Sequence, residues 1–164
     1  MEKKYILSQA AAMMKLRRMA YEIMENNIGQ HKIILAGIVD NGFTIAQHIK
    51  QYLKDDFSLE IDLLEIKINK NNPIDCIVEH AELAKDHVLI IVDDVVNSGK
   101  TLLYALTPFL QHSPLKIQTL TLVERSYKTF PVHIDYVGVS LSTTFKDHIQ
   151  VNVENGLIMG AYLD

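Results

Sequence analysis

Asp93 and Asp94 stand side by side directly after an apolar run, Val88-Leu89-Ile90-Ile91-Val92. Val95 and Val96 separate them from a short polar turn, Asn97-Ser98-Gly99-Lys100-Thr101. The two halves suit opposite chemistries. A carboxylate pair repels phosphate but accepts hydrogen bonds from hydroxyls and coordinates hard divalent cations. The turn has small residues whose backbone N–H groups can close on an anion, with the hydroxyls of Ser98 and Thr101 and the charge of Lys100 beside them. A ligand carrying a phosphate at one end and a diol at the other would satisfy both.

The flanking elements must hold this arrangement in place. Residues 88–92 are short, apolar and rich in β-branched side chains, which predicts a strand buried on both faces, with the acidic pair at its carboxyl end. From Thr101 the apolar spacing becomes helical, so the turn delivers the chain into a helix N-terminus, where backbone N–H groups lack partners and the dipole is positive. A ribose 5-phosphate fits the site so described. Gly99-Lys100-Thr101 also matches the end of a P-loop, but that loop requires a glycine where Asp94 stands. The remaining alternative is a plain strand–turn–helix with exposed aspartates, and the rest of the chain has to decide between them.

The 164 residues are 48% hydrophobic and 22% charged, values of one globular domain able to bury a sizeable core. A formal net charge of −4 offers no general attraction to nucleic acid or to acidic membranes. The single cysteine, Cys76, leaves no internal disulfide, and the seven histidines, from His31 to His148, show no ligand spacing. Cys76 and His80 share one irregular stretch and are a remote candidate for a metal pair. Tyr5-Ile6-Leu7 is too short for the apolar region of a signal peptide, and no apolar run reaches membrane-spanning length. A cytoplasmic protein without a membrane partner is the expectation.

In chain order, Ser8 is a suitable N-cap for a helix over Gln9–Asn26, with Met13, Leu16, Ala20 and Ile23 on one stripe. Residues 33–39 form a second buried-strand candidate, ending in the turn Asp40-Asn41-Gly42. Helical spacing returns over 43–53, strand character over 59–68, and residues 69–83 read as an irregular loop. Pro108 limits or bends the helix after Thr101. Further strands are expected at 117–123 and 134–139, and Asn155-Gly156 between alternating runs signals a hairpin in the tail, 141–164. Strand–helix alternation predicts an α/β fold, with a mainly parallel central sheet and helices on both faces. The β tail would form a small hood on this single domain, residues 1–164. In such sheets ligands bind beyond the strands' carboxyl ends. Asp40-Asn41-Gly42, residues 93–101 and Glu124-Arg125 all fall there, which favours a real site over exposed aspartates.

Residues 88–101 resemble the phosphoribosyl diphosphate signature of type I phosphoribosyltransferases: an apolar strand, two acids, two apolar residues and a small-residue loop ending Gly-Lys-Thr. Residues 34–38 with Gly42 look like that fold's strand and diphosphate loop. Leu122-Val123-Glu124-Arg125 and residues 131–138 are similar to the pyrimidine operon attenuator/uracil phosphoribosyltransferase branch. The resemblance implies a nucleobase nitrogen attacking the ribose C1 of phosphoribosyl diphosphate, with Mg²⁺-bound diphosphate leaving. Carried over, Asp93 and Asp94 hold the ribose hydroxyls, or Mg²⁺ through water. Val96, Asn97, Ser98, Gly99, Lys100 and Thr101 cradle the 5′-phosphate. Asp40, Asn41, Gly42 and Arg125 face the diphosphate, and Lys67 and Lys70 belong to a lid. A homodimer is implied by the family alone.

Some residues depart from the family pattern. Val39-Asp40-Asn41 carries no basic residue, and Asp40 repels a diphosphate unless Mg²⁺ intervenes. Purine-type relatives have an acid where Asn97 stands, and a neutral amide there argues against hypoxanthine or guanine. The lid has no arginine, and Val139 is apolar where relatives carry a lysine. Tyr127 and Phe130 can stack a base or pack a hood. Three functions follow: transfer of phosphoribosyl to a pyrimidine such as uracil; nucleotide sensing by an RNA-binding attenuator-type regulator; or ligand binding with little catalysis. RNA binding is the less favoured, because it needs a basic face and the only arginines are Arg17, Arg18 and Arg125.

Overall fold

The computed structural model describes residues 4–142 and 147–163, so residues 143–146 and 164 of the expected tail lie outside the described residues. The chain opens with β1 (Lys4–Ser8), α1 (Gln9–Asn26), β2 (Lys32–Ile38), α2 (Asn41–Phe57), β3 (Glu60–Ile68) and β4 (Cys76–Val78). It continues through β5 (Val88–Val96), α3 (Lys100–Ala105), α4 (Thr107–Leu110), β6 (Lys116–Arg125), β7 (Tyr136–Leu141), β8 (Ile149–Glu154) and β9 (Leu157–Leu163). One sheet has the order β4-β3-β2-β5-β6-β7, parallel except for β4 at its edge; β1-β9-β8 form a separate antiparallel sheet.

The central strands read as unbroken apolar runs because both of their faces are covered. Ile33, Leu35, Val88, Ile90 and Val92 point into a core shared with α1, α2 and the hood. Their alternates, Ile34, Ala36, Ile38, Leu89 and Ile91, point into a second core with Leu102, Ala105 and Phe109 from α3 and α4. On α1 the Ser8 hydroxyl accepts the Ala11 N–H at 3.2 Å, capping the helix as expected, and the buried stripe is Ala12, Leu16, Met19, Ala20 and Ile23. Arg17 and Arg18 lie off it, exposed.

Four expectations needed correction. The strand at 88–92 does not end at Val92. It runs to Val96 because the ladder with β6 continues, Asp93 opposite Thr121 and Val96 opposite Glu124, so the acidic pair lies inside a strand. Residues 69–83 are not all loop: β4 pairs with β3 through Ile66 and Val78, and a 3₁₀ turn covers Ala81–Ala84. The strand expected at 134–139 begins at Tyr136 and extends to Leu141, which therefore belongs to the large sheet. Tyr5-Ile6-Leu7, given no structural role, form β1, whose partner β9 lies at the far end of the chain (Tyr5 opposite Tyr162). The helix after the phosphate turn does break near Pro108, into α3 and α4.

The first turn of α2 is pressed onto the sheet where Gly37 and Gly42 meet. A Cβ on Gly37 would fall 2.4 Å from the Phe43 Cα, and one on Gly42 would fall 2.6 Å from the Val92 carbonyl oxygen and 3.0 Å from the Asp93 Cα. Both obstacles are backbone, so neither can move without moving an element. Gly42→Ala is therefore expected to lower folding stability by about 1–3 kcal/mol, the usual cost of overpacking. Urea unfolding checks this, and an unchanged midpoint would show that α2 does not need this close approach.

Candidate functional site

Asp93 and Asp94 are 2% and 8% exposed, a level at which unpaired carboxylates are not tolerated. Their partners come from four parts of the chain. Asp93 Oδ1 accepts the Asp94 N–H at 2.9 Å, and Asp94 Oδ1 accepts the Val95 N–H at 2.8 Å. Asn41, in the first turn of α2, donates its amide to Asp94 Oδ2 at 2.9 Å and to the Val151 carbonyl of the hood at 3.0 Å. Lys70 Nζ lies 3.3 Å from Asp93 Oδ1 and 3.4 Å from Asp94 Oδ1. Thr121 on β6 donates its hydroxyl to the Asp94 carbonyl at 3.0 Å.

The two carboxyls are driven apart electrostatically. Burial, and then the charge of Asp94, push Asp93 up to about 7. Burial also works against the charge on Asp94. Lys70 and the hydrogen bonds with Asp93, Asn41 and Val95 outweigh it, holding that carboxyl below its ordinary range. Lys70 is drawn down by burial but is left raised by the two acids.

The turn that follows is fixed by its own backbone. Gly99 has φ +86°, a left-handed conformation that suits glycine, and a Cβ there would meet Val132 Cγ2 at 2.4 Å. Ser98 Oγ accepts the Lys100 N–H at 3.3 Å, while the Ser98 carbonyl accepts the N–H groups of Thr129 and Phe130 at 3.1 and 3.0 Å. Since α3 is only six residues long, its dipole is small, and what the loop could offer an anion is its local N–H groups and hydroxyls.

A cleft of about 370 Å³ is lined by Asn41, Lys70, Asp93, Asp94, the loop 95–102 and the hood residues Ile149, Gln150 and Val151. A second cavity, about 280 Å³, is lined by Asn97, Ser98, Arg125, Tyr127, Thr129 and His148. Asn97 and Ser98 belong to both.

Of the expected site residues, the structure brings together Asp93, Asp94, Val96 to Thr101, Asn41 and Lys70. Val96 packs in the core, so only its backbone is available. Four others are placed elsewhere. Asp40 is an exposed residue before α2 that makes no side-chain cap, and Gly42 is buried against β5, so Asn41 alone of that turn reaches the cleft. Lys67 sits 3.9 Å from both Glu65 and Glu79 beside a different cavity. Arg125 turns away from Asn41: its Nε donates to Asn97 Oδ1 at 2.8 Å, and its guanidinium also donates to the Asp147 carbonyl. Tyr127 lines the second cavity and Phe130 does not. No group of three or more His, Cys, Asp or Glu side chains that could hold a metal occurs among the described residues.

The hood's contribution, Ile149 to Val151, was missed. Alternation over 149–153 reveals a strand but not which site it covers. The bridging of both acids by Lys70 was missed as well, because a lysine in a polar stretch has no periodic signature.

A mainly parallel sheet with carboxylates and a phosphate loop at one rim, closed by a β hood, is the framework of a phosphoribosyltransferase. Residues 3–155 match the family model described as Phosphoribosyl transferase domain, and the chain belongs to that family. Among curated relatives it is similar to the "Bifunctional protein PyrR" of Streptococcus thermophilus (strain CNRZ 1066), 32% identical over 93% of this chain and 91% of the relative. It also matches that of Macrococcus caseolyticus (strain JCSC5402), 29% identical over 94% of each. Two solved structures share the fold. A hypoxanthine-guanine phosphoribosyltransferase of Bacillus anthracis has a TM-score of 0.75 at 18% identity over 98% of each chain. The hypoxanthine phosphoribosyltransferase of Trypanosoma cruzi has a TM-score of 0.73 at 17% identity, covering 87% of this chain and 83% of that one.

Asp93→Asn is expected to raise the melting temperature at neutral pH, because it keeps the side chain's shape and removes one of two adjacent buried charges. A carboxyl at about 7 when folded and 3.8 when unfolded binds its proton more tightly in the folded state. Stability therefore falls as pH climbs through that interval. The gain from the substitution should be small near pH 4 and complete above about pH 7. Thermal melts across that range test the sign; a variant less stable than the natural protein at pH 8 contradicts it.

Proposed function

We propose that the protein transfers the 5-phosphoribosyl group of phosphoribosyl diphosphate to a pyrimidine such as uracil, releasing diphosphate. The observation that carries this reading is the meeting of the acidic pair and the phosphate loop in one cleft beneath the hood. The loop N–H groups and the hydroxyls of Ser98 and Thr101 take the 5′-phosphate. Asp93 and Asp94 take the ribose 2′- and 3′-hydroxyls. Charge develops at C1 in an oxocarbenium-like transition state, so positioning and fixed charge do most of the work.

The residues fit Mg²⁺, which is characteristically held by one or two carboxylates, water and substrate phosphate oxygens rather than by a full protein cage. Asp93 and Asp94 would hold it, directly or through water, and it would supply charge neutralisation for the departing diphosphate. Lys70 now stands on those carboxylates. A ligand whose hydroxyls took its place on the carboxylates would free its ammonium for the charge of a diphosphate. Of the two lid residues expected, Lys67 and Lys70, this role falls to Lys70.

A pyrimidine is favoured because Asn97 cannot take a proton and is engaged by Arg125. "Bifunctional" in the relatives' name raises a second activity, and an RNA-binding face finds no support in the arginines. Arg17 pairs with Asp56, Arg18 is spent on Glu22 and on the carbonyls of Val137 and Gly138, and Arg125 faces inward. A homodimer in the cytoplasm belongs to the same reading on family likeness; no helix among the described residues is long and apolar enough to cross a membrane.

Purified protein incubated with labelled uracil, phosphoribosyl diphosphate and Mg²⁺ is expected to yield uridine monophosphate. Asp94→Asn should lower kcat/KM on the order of 100-fold, as loss of a preorganised charge at a developing centre does. The double variant Asp93→Asn/Asp94→Asn should lose phosphoribosyl diphosphate binding by calorimetry with its circular dichroism unchanged. Binding without product from any common base would leave a ligand-binding homologue instead.

A further inference from the structure

We propose that Asn97 donates an amide N–H to the exocyclic oxygen flanking the attacking nitrogen of the base, and that Arg125 is the positioning residue that locks it in that role. The inference rests on the pyrimidine transfer described above and goes further by assigning which atom of the base is held.

The bond that forms joins a ribose in the first cavity to a base in the second. The residues shared by both cavities, Asn97 and Ser98, therefore flank the junction where that bond is made. Ser98 faces the loop and the phosphate: its hydroxyl accepts the Lys100 N–H and keeps its own hydrogen for the 5′-phosphate, and its carbonyl accepts from Thr129 and Phe130. The Asn97 side chain is exposed at the junction.

An asparagine amide can ordinarily present either end. Here it cannot. The Arg125 Nε–H lies 2.8 Å from it, and a guanidinium has donors only, so the atom it meets must be the amide oxygen. Arginine keeps its charge at every working pH, so the orientation does not titrate away. Arg125 is itself buried and held to the Asp147 carbonyl at the entrance to the hood. With its oxygen end turned to Arg125, the end that Asn97 turns to a ligand is Nδ2, with two N–H donors.

This is the polarity the reaction needs. As the N1–C1 bond forms, the C1–O bond to diphosphate breaks with its electron pair passing to diphosphate, and the N1 proton goes to water. The negative charge of a pyrimidine deprotonated at N1 spreads onto the adjacent 2-oxo oxygen. A donor there stabilises that charge, and hydrogen bonding to Arg125 polarises the amide and strengthens it. An amino group in the same place would set donor against donor.

The test replaces one oxygen at a time. Affinities for UMP, 2-thio-UMP and 4-thio-UMP are measured by calorimetry, with transfer rates to uracil, 2-thiouracil and 4-thiouracil, on the natural protein and on Asn97→Ala. The natural protein is expected to disfavour the 2-thio compounds about tenfold while tolerating the 4-thio ones, the size of one hydrogen bond. Asn97→Ala should bind UMP about tenfold more weakly and lose its discrimination against sulfur at position 2. Arg125→Gln should show the same loss of discrimination without touching the base. An Asn97 that only props the loop would weaken all three ligands equally, leaving the 2-thio penalty intact, and that result overturns the inference alone. No UMP binding together with no product from any base would overturn the transferase reading and this inference with it.

Discussion

Two carboxylates on neighbouring residues of a central strand, closed off from water, share one ammonium. Much of the molecule follows from that constraint. Side chains of consecutive strand residues normally point to opposite faces, yet Asp93 and Asp94 both reach Lys70 within 3.4 Å. They do so where β5 and β6 still pair and the first turn of α2 presses against the strand. The oxygens that face Lys70 also accept the strand's own N–H groups, and the second oxygen of Asp94 is held by Asn41 at the start of α2 and, through Asn41, tied to the hood strand β8. The acidic pair is thus the point to which sheet, helix and hood are tied. It is also strained electrostatically, as one carboxyl is pushed up to about 7 while the other stays charged. Holding two adjacent carboxyls buried in this way costs stability, which on the proposed reading is the cost of a ligand site.

How much of this could be read from the residues depended on whether the determining contacts were local. The helix over Gln9–Asn26 was legible to its ends because Ser8, the apolar stripe and the stop at Asn27 are all local signals. The strands at 33–39 and 88–92 were legible as buried because no polar side chain interrupts either run. The continuation of β5 through two aspartates was not, because it depends on β6, more than twenty residues away, supplying Thr121 and Val123 as ladder partners. For the same reason β1 escaped notice: three apolar residues become a strand only when β9 closes on them from the other end of the chain.

The candidate site shows the same division. Residues 93–101 are consecutive, so their joint presence in the cleft was settled by the chain itself. Asp40, Gly42, Lys67 and Arg125 were placed by rim position or by family likeness, and packing then moved them. Gly42 has no side chain to offer and is used for close approach to β5, whereas Lys67 is satisfied by Glu65 and Glu79. Arg125 lies at the carboxyl end of a strand, as expected, but the direction of a long side chain is decided by what accepts its hydrogen bonds, and here that is Asn97.

The pairing of Asn97 with Arg125 also explains how one fold serves different bases. Hypoxanthine-type phosphoribosyltransferases share this architecture at TM-scores of 0.73 and 0.75, with only 17% and 18% identity. The architecture is therefore shared with purine enzymes, and the fold by itself does not choose the base. On the proposed reading the choice falls to side chains at the junction of the two cavities. An acid there can hold a proton or accept one; an amide whose oxygen is turned to a guanidinium presents its N–H donors. Exchanging one for the other alters no backbone hydrogen bond and buries no new surface, yet it reverses the polarity met by the base. A substitution of that kind can redirect a phosphoribosyltransferase while its scaffold stays still.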